Sequence, residues 1–70
     1  MTLRIDENTN KVIEQFVKKG NLTTGALVDL TGLSRPTVTK RLDRLHAADS
    51  VEYLHESTAL WRLIEDPRES

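Results

Sequence analysis

A helix stop and a helix start lie within a few residues of each other in segment 31–36, which reads TGLSRP. Gly32 breaks a helix and permits a tight turn, because glycine adopts backbone conformations that other residues avoid. Ser34 is a strong N-cap, and Pro36 falls in the first turn of the following helix, where its missing N–H costs nothing. The segment therefore predicts two helices joined by a short turn.

Both helices of this pair show apolar spacing. The first is predicted over 25–31, with Thr23 or Thr24 as its cap and its apolar side chains at Ala26, Leu27 and Leu30. The second is predicted over 35–48. Its buried stripe lies within about 60° on the helical wheel and consists of Val38, Leu42 and Leu45.

An earlier helix is predicted over 7–19. Asp6 is a suitable N-cap, and Gly20 supplies the positive φ that ends a helix. A single apolar stripe runs along this helix and consists of Val12, Ile13, Phe16 and Val17. The following residues, 21–23, can be extended.

The outward face of the helix at 35–48 is basic. Between residues 34 and 46 stand four cations, Arg35, Lys40, Arg41 and Arg44, against the anion Asp43, a local balance of +3. The whole chain has ten Lys and Arg and eleven Asp and Glu, so the remainder carries six cations and ten anions. Because charges are screened over about 10 Å, this local balance decides whether the face attracts phosphate.

Beyond residue 50 the apolar period changes from that of a helix to that of a strand. Strands are predicted over 51–55 and 59–64, with the turn at 56–58. The predicted register of the two strands is the one that pairs the opposite charges of Glu52 and Arg62. This register places Val51–Leu63 and Tyr53–Trp61 on the core face, and Glu52–Arg62 and Leu54–Leu60 on the outer face. Asp49 precedes the hairpin and tolerates left-handed geometry.

Segment 23–51 resembles winged helix-turn-helix transcription regulators of the broad bacterial and archaeal type, through TGALVDLTGLS at 24–34, PTVTKRL at 36–42 and Leu45. The resemblance implies an α+β, mainly α fold, with three helices followed by a β-hairpin wing. It covers nearly the whole chain. We expect a domain over 1–64 and a polar tail over 65–70 that frays or leads onward.

The resemblance also implies which residues face double-stranded DNA when the helix at 35–48 enters the major groove. In this family the positions of Ser34, Arg35, Thr37, Thr39 and Lys40 face DNA, and that of Arg44 meets the backbone. Arg and Lys donate to guanine or phosphate, and Thr donates, accepts or contacts a thymine methyl. The sequence therefore predicts base contacts from Arg35, Thr37, Thr39 and Lys40, and phosphate contacts from Arg41, Arg44 and Thr24.

Three further positions complete the predicted DNA-binding set. Pro36 adds a rigid apolar surface near the helix entry, and His55 and Ser57 lie near the wing tip. Glu56 repels phosphate there, so we expect little affinity from the wing. The alternatives are that the basic face is only solvated, that His55 is merely exposed and that Thr23 and Thr24 only cap their helix.

The sequence thus favours sequence-specific DNA binding by a small cytoplasmic transcription repressor. Leu54, Leu60 and Ile64 share the hairpin's outer face, and a homodimer through that face is the hypothesis. The alternative function is a winged-helix protein-interaction module.

Other classes of protein have little support in the sequence. The chain has no cysteine, and His46 and His55 have no neighbour at ligand spacing, so no metal or cofactor is expected. No small-molecule ligand is evident, no enzyme activity is expected, and no apolar run approaches a membrane span.

Overall fold

Three helices are followed by a β-hairpin, which confirms the predicted fold class. The computed structural model describes residues 5–69. The elements are α1 (Glu7–Lys19), β1 (Leu22–Thr23), α2 (Thr24–Thr31), α3 (Arg35–Ala47), β2 (Val51–His55) and β3 (Leu60–Leu63). A 3₁₀ turn, Glu56–Thr58, joins β2 to β3, and a second, Pro67–Glu69, follows β3.

The helices begin at polar caps. The Asp6 carboxylate accepts the Thr9 N–H at 2.8 Å, and the Thr23 hydroxyl accepts the Ala26 N–H at 3.0 Å, so Thr23 is the cap of α2. Ser34 caps α3. The predicted bounds of α1 are confirmed, whereas α2 begins one residue earlier and α3 ends one residue earlier than predicted.

The helices end in two ways. Gly20 and Gly32 follow α1 and α2 with φ of +88° and +73°, a region open to glycine at little cost. After α3, the positive φ falls on Asp49, at +59°, as the sequence predicts.

One core of nine side chains lies between the helices and the hairpin. Two residues of the predicted apolar patterns lie outside this core, since Val17 is 55% exposed and Leu30 is 43% exposed. At 100° per residue, each lies about 90° around its helix from the centre of the buried residues, and therefore just outside them. The core consists of Val12, Ile13, Phe16, Leu27, Val38, Leu42, Leu45, Val51 and Trp61.

The sheet has three strands in the order β1-β3-β2. The extended residues before α2 form β1 and pair with β3, placing Leu22 opposite Trp61. Three of the four predicted hairpin pairs are confirmed. The pair Leu54–Leu60 is wrong, because an irregularity after Tyr53 places His55 opposite Leu60.

Trp61 joins the hairpin to the helices. Trp61 is 3% exposed, and its Nε1–H donates to the Thr24 hydroxyl at 3.1 Å. Tyr53 stacks on it with ring centroids 3.8 Å apart, and His46 meets it edge-on at 5.6 Å. The core role predicted for Trp61 is confirmed, whereas Tyr53 is 39% exposed and covers the core from outside.

The C-terminal segment packs on α1. The Arg68 guanidinium donates to Asn10 at 2.8 Å, to Glu14 at 3.0 Å and to Asp66 at 2.8 Å. The sequence predicts that the tail over 65–70 frays or leads onward, and these contacts do not favour fraying at residues 66–68. A long-range contact of this kind leaves no periodic signal in the sequence.

Candidate nucleic-acid interface

The buried residues of α3 determine which of its other side chains face solvent. Val38, Leu42 and Leu45 are 0–1% exposed and seat the helix on the core. The remaining arc is therefore left to solvent. It consists of the exposed side chains Arg35, Pro36, Thr39, Lys40, Asp43 and Arg44, with the half-buried Thr37 at its edge.

The charge on this arc is not neutralised by the protein. Over residues 5–69, the ion pairs involve Arg41, Arg62 and Arg68, and none involves Arg35, Lys40 or Arg44. A cation without an intramolecular partner binds phosphate without first breaking an ion pair. These three side chains therefore carry the available positive charge of α3.

Hydroxyl groups gather at the start of α3. The Ser34 and Thr37 hydroxyls are 2.8 Å apart and share a hydrogen bond, and the Thr37 N–H donates weakly to Ser34 at 3.4 Å. Thr39 lies on the exposed arc. The helix entry thus presents hydroxyls beside Arg35, which suits both base edges and phosphate oxygens.

The first turn of α2 lies beside Arg35, because the Arg35 Nη2 atom is 3.6 Å from the position of a Cβ on Gly25. Thr24, however, faces inward. It is 8% exposed, its N–H donates to the Ala59 carbonyl at 3.1 Å, and its hydroxyl accepts from Trp61. This placement does not favour the predicted phosphate contact from Thr24, whose observed contacts all fix the wing to α2.

Arg41 also departs from the predicted set. Its Nη2 atom lies 3.0 Å from an Asp6 oxygen, its side chain is 15% exposed, and its Nε has no hydrogen-bond partner among residues 5–69. Hydrogen bonds from Thr9, together with the nearby charge of Arg41, lower the pKa of Asp6 to about 2. The structure therefore directs Arg41 toward α1 rather than toward the exposed arc.

The wing tip presents a small polar cluster. The His55 Nδ1 atom lies 3.0 Å from the Thr58 hydroxyl and 3.1 Å from the Ser57 hydroxyl. Glu56 is exposed beside them, and Arg62, the only Lys or Arg of the hairpin at 51–64, pairs with Glu52 at 2.7 Å. The predicted wing residues His55 and Ser57 are exposed and engaged within the hairpin.

Two contacts that position this interface escaped the sequence analysis. Asp6 pairs with Arg41 across 35 positions, and Thr24 bonds to Trp61 across 37. The one available signal was the place of Arg41, about 60° from the buried stripe of α3 at 100° per residue. Such a boundary position favours neither solvent nor core, and nothing in the sequence singles out Asp6 as its partner.

Comparison with known protein families identifies the fold. The family model described as winged helix-turn-helix DNA-binding matches residues 5–51, from the start of α1 to the start of β2. The chain belongs to the winged helix-turn-helix DNA-binding family. No curated protein and no solved structure matches the chain.

Within residues 5–69, no three His, Asp or Glu side chains are grouped as a metal ion would require. No helix in this range has the length and apolar composition of a bilayer span.

Proposed function

We propose that this chain binds double-stranded DNA at a specific sequence and acts as a small transcription repressor. The observation that carries the proposal is the exposed arc of α3. Arg35, Lys40 and Arg44 lie there without a carboxylate partner among residues 5–69. A helix of this kind presents donors to base edges and phosphates when it lies in the major groove.

The proposed roles follow the position of each side chain along α3. Arg35, Thr37, Thr39 and Lys40 contact bases, and Arg44 contacts a phosphate. Ser34 and Pro36 lie against the DNA at the helix entry. His55 and Ser57 make at most weak contacts from the wing, because Glu56 lies between them in the chain.

Fluorescence anisotropy tests the binding proposal. A labelled duplex from the promoter of the chain's own gene is titrated with protein across a range of salt concentrations, beside a duplex of scrambled sequence. We expect preference for the promoter and affinity that falls steeply with salt, because phosphate contacts release counterions. An absence of binding to either duplex at low salt would contradict the proposal. Repression requires in addition that the protein lowers transcription from the same promoter in vitro.

Absence of DNA binding would favour the second candidate, a protein-interaction module. The supporting observation is apolar surface on and beside the hairpin, where Leu54 is 44% exposed and Ile64 is 47% exposed. Exposed apolar clusters mark interfaces in many soluble proteins.

The same surface supports a homodimer, which we propose as the DNA-binding form. Helix-turn-helix dimers bind two half-sites through their twofold symmetry. Sedimentation at high micromolar concentration should show a dimer, and Leu54→Glu should convert it to monomer. The matched variant Leu30→Glu, on the exposed side of α2, should leave the dimer intact. A wild-type protein that stays monomeric would contradict this proposal.

A further inference from the structure

An ion pair connects the start of α1 to the middle of α3. The Arg41 Nη2 atom lies 3.0 Å from the Asp6 Oδ2 atom. Both side chains are largely withdrawn from solvent, with 15% of Arg41 and 28% of Asp6 exposed. The contact therefore links the proposed DNA-reading helix to the scaffold behind it.

The orientation of Asp6 is fixed before Arg41 meets it. Its Oδ1 atom accepts the Thr9 N–H at 2.8 Å as the cap of α1, which leaves Oδ2 for Arg41. Each oxygen thus serves a different helix. A charge-assisted hydrogen bond to a held carboxylate is directional, unlike apolar packing.

Directionality matters because the buried side chains of α3, Val38, Leu42 and Leu45, are all aliphatic, and His46 adds only edge-on ring contacts with Tyr53 and Trp61. Side chains reach about 5–6 Å from a helix axis, so a roll of about 20° moves their tips by about 2 Å. That displacement exceeds the narrow distance range of a hydrogen bond to a base edge. Arg41 lies beside the stripe and resists this roll.

We infer that Arg41 is a positioning residue: paired with Asp6, it sets the roll of α3 on α1 and thereby the base preference, without itself contacting phosphate. The inference rests on the proposed DNA binding and deepens it. Three exposed cations supply the attraction to phosphate, and the partly buried pair supplies the alignment.

Asp6 is also the partner on which the partly buried charge of Arg41 depends. The Arg41 Nε is buried and has no hydrogen-bond partner among residues 5–69, so Asp6 supplies the compensating contact for this withdrawn cation. A withdrawn charge that loses its partner is destabilised there and moves toward solvent. Removing either partner therefore allows α3 to rotate about its own axis on α1.

Two variants and a matched control test the inference. Arg41→Met keeps the aliphatic stem but removes the charge, and Asp6→Asn keeps a good N-cap but removes the carboxylate. Glu7→Gln is the control, since it changes the same charge at the neighbouring, exposed position. The probes are a duplex selected by the wild-type protein from a random-sequence library and an unselected random duplex.

We expect both variants to bind the selected duplex about tenfold more weakly, the effect of losing about one base contact. Arg41→Met should keep the wild-type affinity for the random duplex and the wild-type salt dependence, and Asp6→Asn should bind the random duplex no more weakly. The double variant should be no worse than either single one. Glu7→Gln should match the wild type.

Other results overturn the inference. If Arg41→Met loses random-duplex affinity and its slope of log K against log salt falls by about 0.9, Arg41 contacts phosphate. If the variants only unfold more easily and keep the wild-type preference, the pair is purely structural. If Arg41→Met fails to fold, Arg41→Lys replaces it, because Lys still pairs with Asp6; Arg41→Lys must then retain more of the preference than Asp6→Asn. Wild-type protein that binds neither duplex overturns the proposed function itself.

Discussion

The α3 helix and the wing both present polar side chains to solvent, but they differ in what those side chains are free to do. On α3, Arg35, Lys40 and Arg44 have no carboxylate partner among residues 5–69. On the wing, Arg62 is held by Glu52 at 2.7 Å, and Glu56 is exposed near the tip. Exposure alone therefore does not make a cation available to phosphate, because an exposed cation can already be paired within the protein.

The wing has a second task that α3 does not share. Ala59 accepts the Thr24 N–H, and Trp61 donates to the Thr24 hydroxyl, so the hairpin holds the start of α2. On this account the hairpin mainly braces the helix pair, and α3 supplies most of the DNA affinity.

Removing two cations from α3 should have the largest effect. Lys40→Met combined with Arg44→Met should weaken binding to a random duplex about 100-fold at 0.1 M salt. Binding to unselected DNA rests on attraction to phosphate, to which both cations contribute, and each cation lost costs about tenfold there. The control is Lys18→Met with Lys19→Met, which removes equal charge from the exposed end of α1. Anisotropy titrations compare the two. Equal losses in both double variants would mean that total charge, rather than α3, governs binding.

Removing the hydrogen bond between Trp61 and Thr24 should destabilise the fold. Thr24→Val keeps the side-chain shape but leaves the buried Trp61 N–H without its acceptor, which costs about 1–3 kcal/mol of unfolding free energy. Urea unfolding monitored by fluorescence of the single tryptophan measures this loss. The control Thr39→Val alters an exposed threonine of α3 and should leave stability nearly unchanged. A fully stable Thr24→Val protein would show that the hydrogen bond does not brace the wing.

Low pH should reduce the free energy of unfolding, because Asp6 becomes protonated. Its pKa lies at about 2 in the folded protein, below the ordinary 3.8, so the ionised form is stabilised by folding. This contribution is complete above about pH 4 and is lost as the pH falls through about 2. Asp6→Asn should therefore lose less stability than the wild type between pH 5 and about pH 2, measured by urea unfolding.

Asp66 contributes to the same acid dependence, because its hydrogen bond from Arg68 also lowers its pKa. Asp6→Asn should thus reduce the acid sensitivity without abolishing it. Identical pH profiles for Asp6→Asn and the wild type would contradict the assigned role of Asp6.

The smallest effect is expected at the wing turn. Ala59 has φ of +51°, a conformation that costs a residue with a Cβ about 1 kcal/mol relative to glycine. Ala59→Gly should raise the unfolding free energy by up to about 1 kcal/mol while leaving duplex affinity unchanged. Affinity that falls as the turn is altered would indicate that the wing contacts DNA more strongly than this account allows.

Local signals predicted the fold well. The caps at Asp6 and Ser34, the stop at Gly32 and the charge pair Glu52–Arg62 each act over a few residues or across one hairpin, and the structure shows all four. The strand β1 has only two residues, which is too short to show a period. The irregularity after Tyr53 and the positive φ of Ala59 likewise could not be predicted, because no Gly or Asn marks either place in the sequence.

The candidate site was also predictable only as far as local spacing along α3 determines it. Helical spacing identifies the exposed arc with Thr39, Lys40 and Arg44, because that arc is simply opposite the buried stripe. Spacing does not reveal that Arg41 pairs with Asp6 or that Thr24 is covered by Trp61. Those contacts depend on how separate elements pack, and only the folded structure brings the partners together.

Chemical-shift mapping compares α3 and the wing tip in a single DNA titration. Amide resonances of ¹⁵N-labelled protein are followed while a duplex selected by the wild-type protein is added. We expect the largest shifts across α3, Arg35–Ala47, and clearly smaller shifts at the wing tip, Glu56–Thr58. Wing-tip shifts as large as those of α3, or shifts confined to the wing, would contradict it.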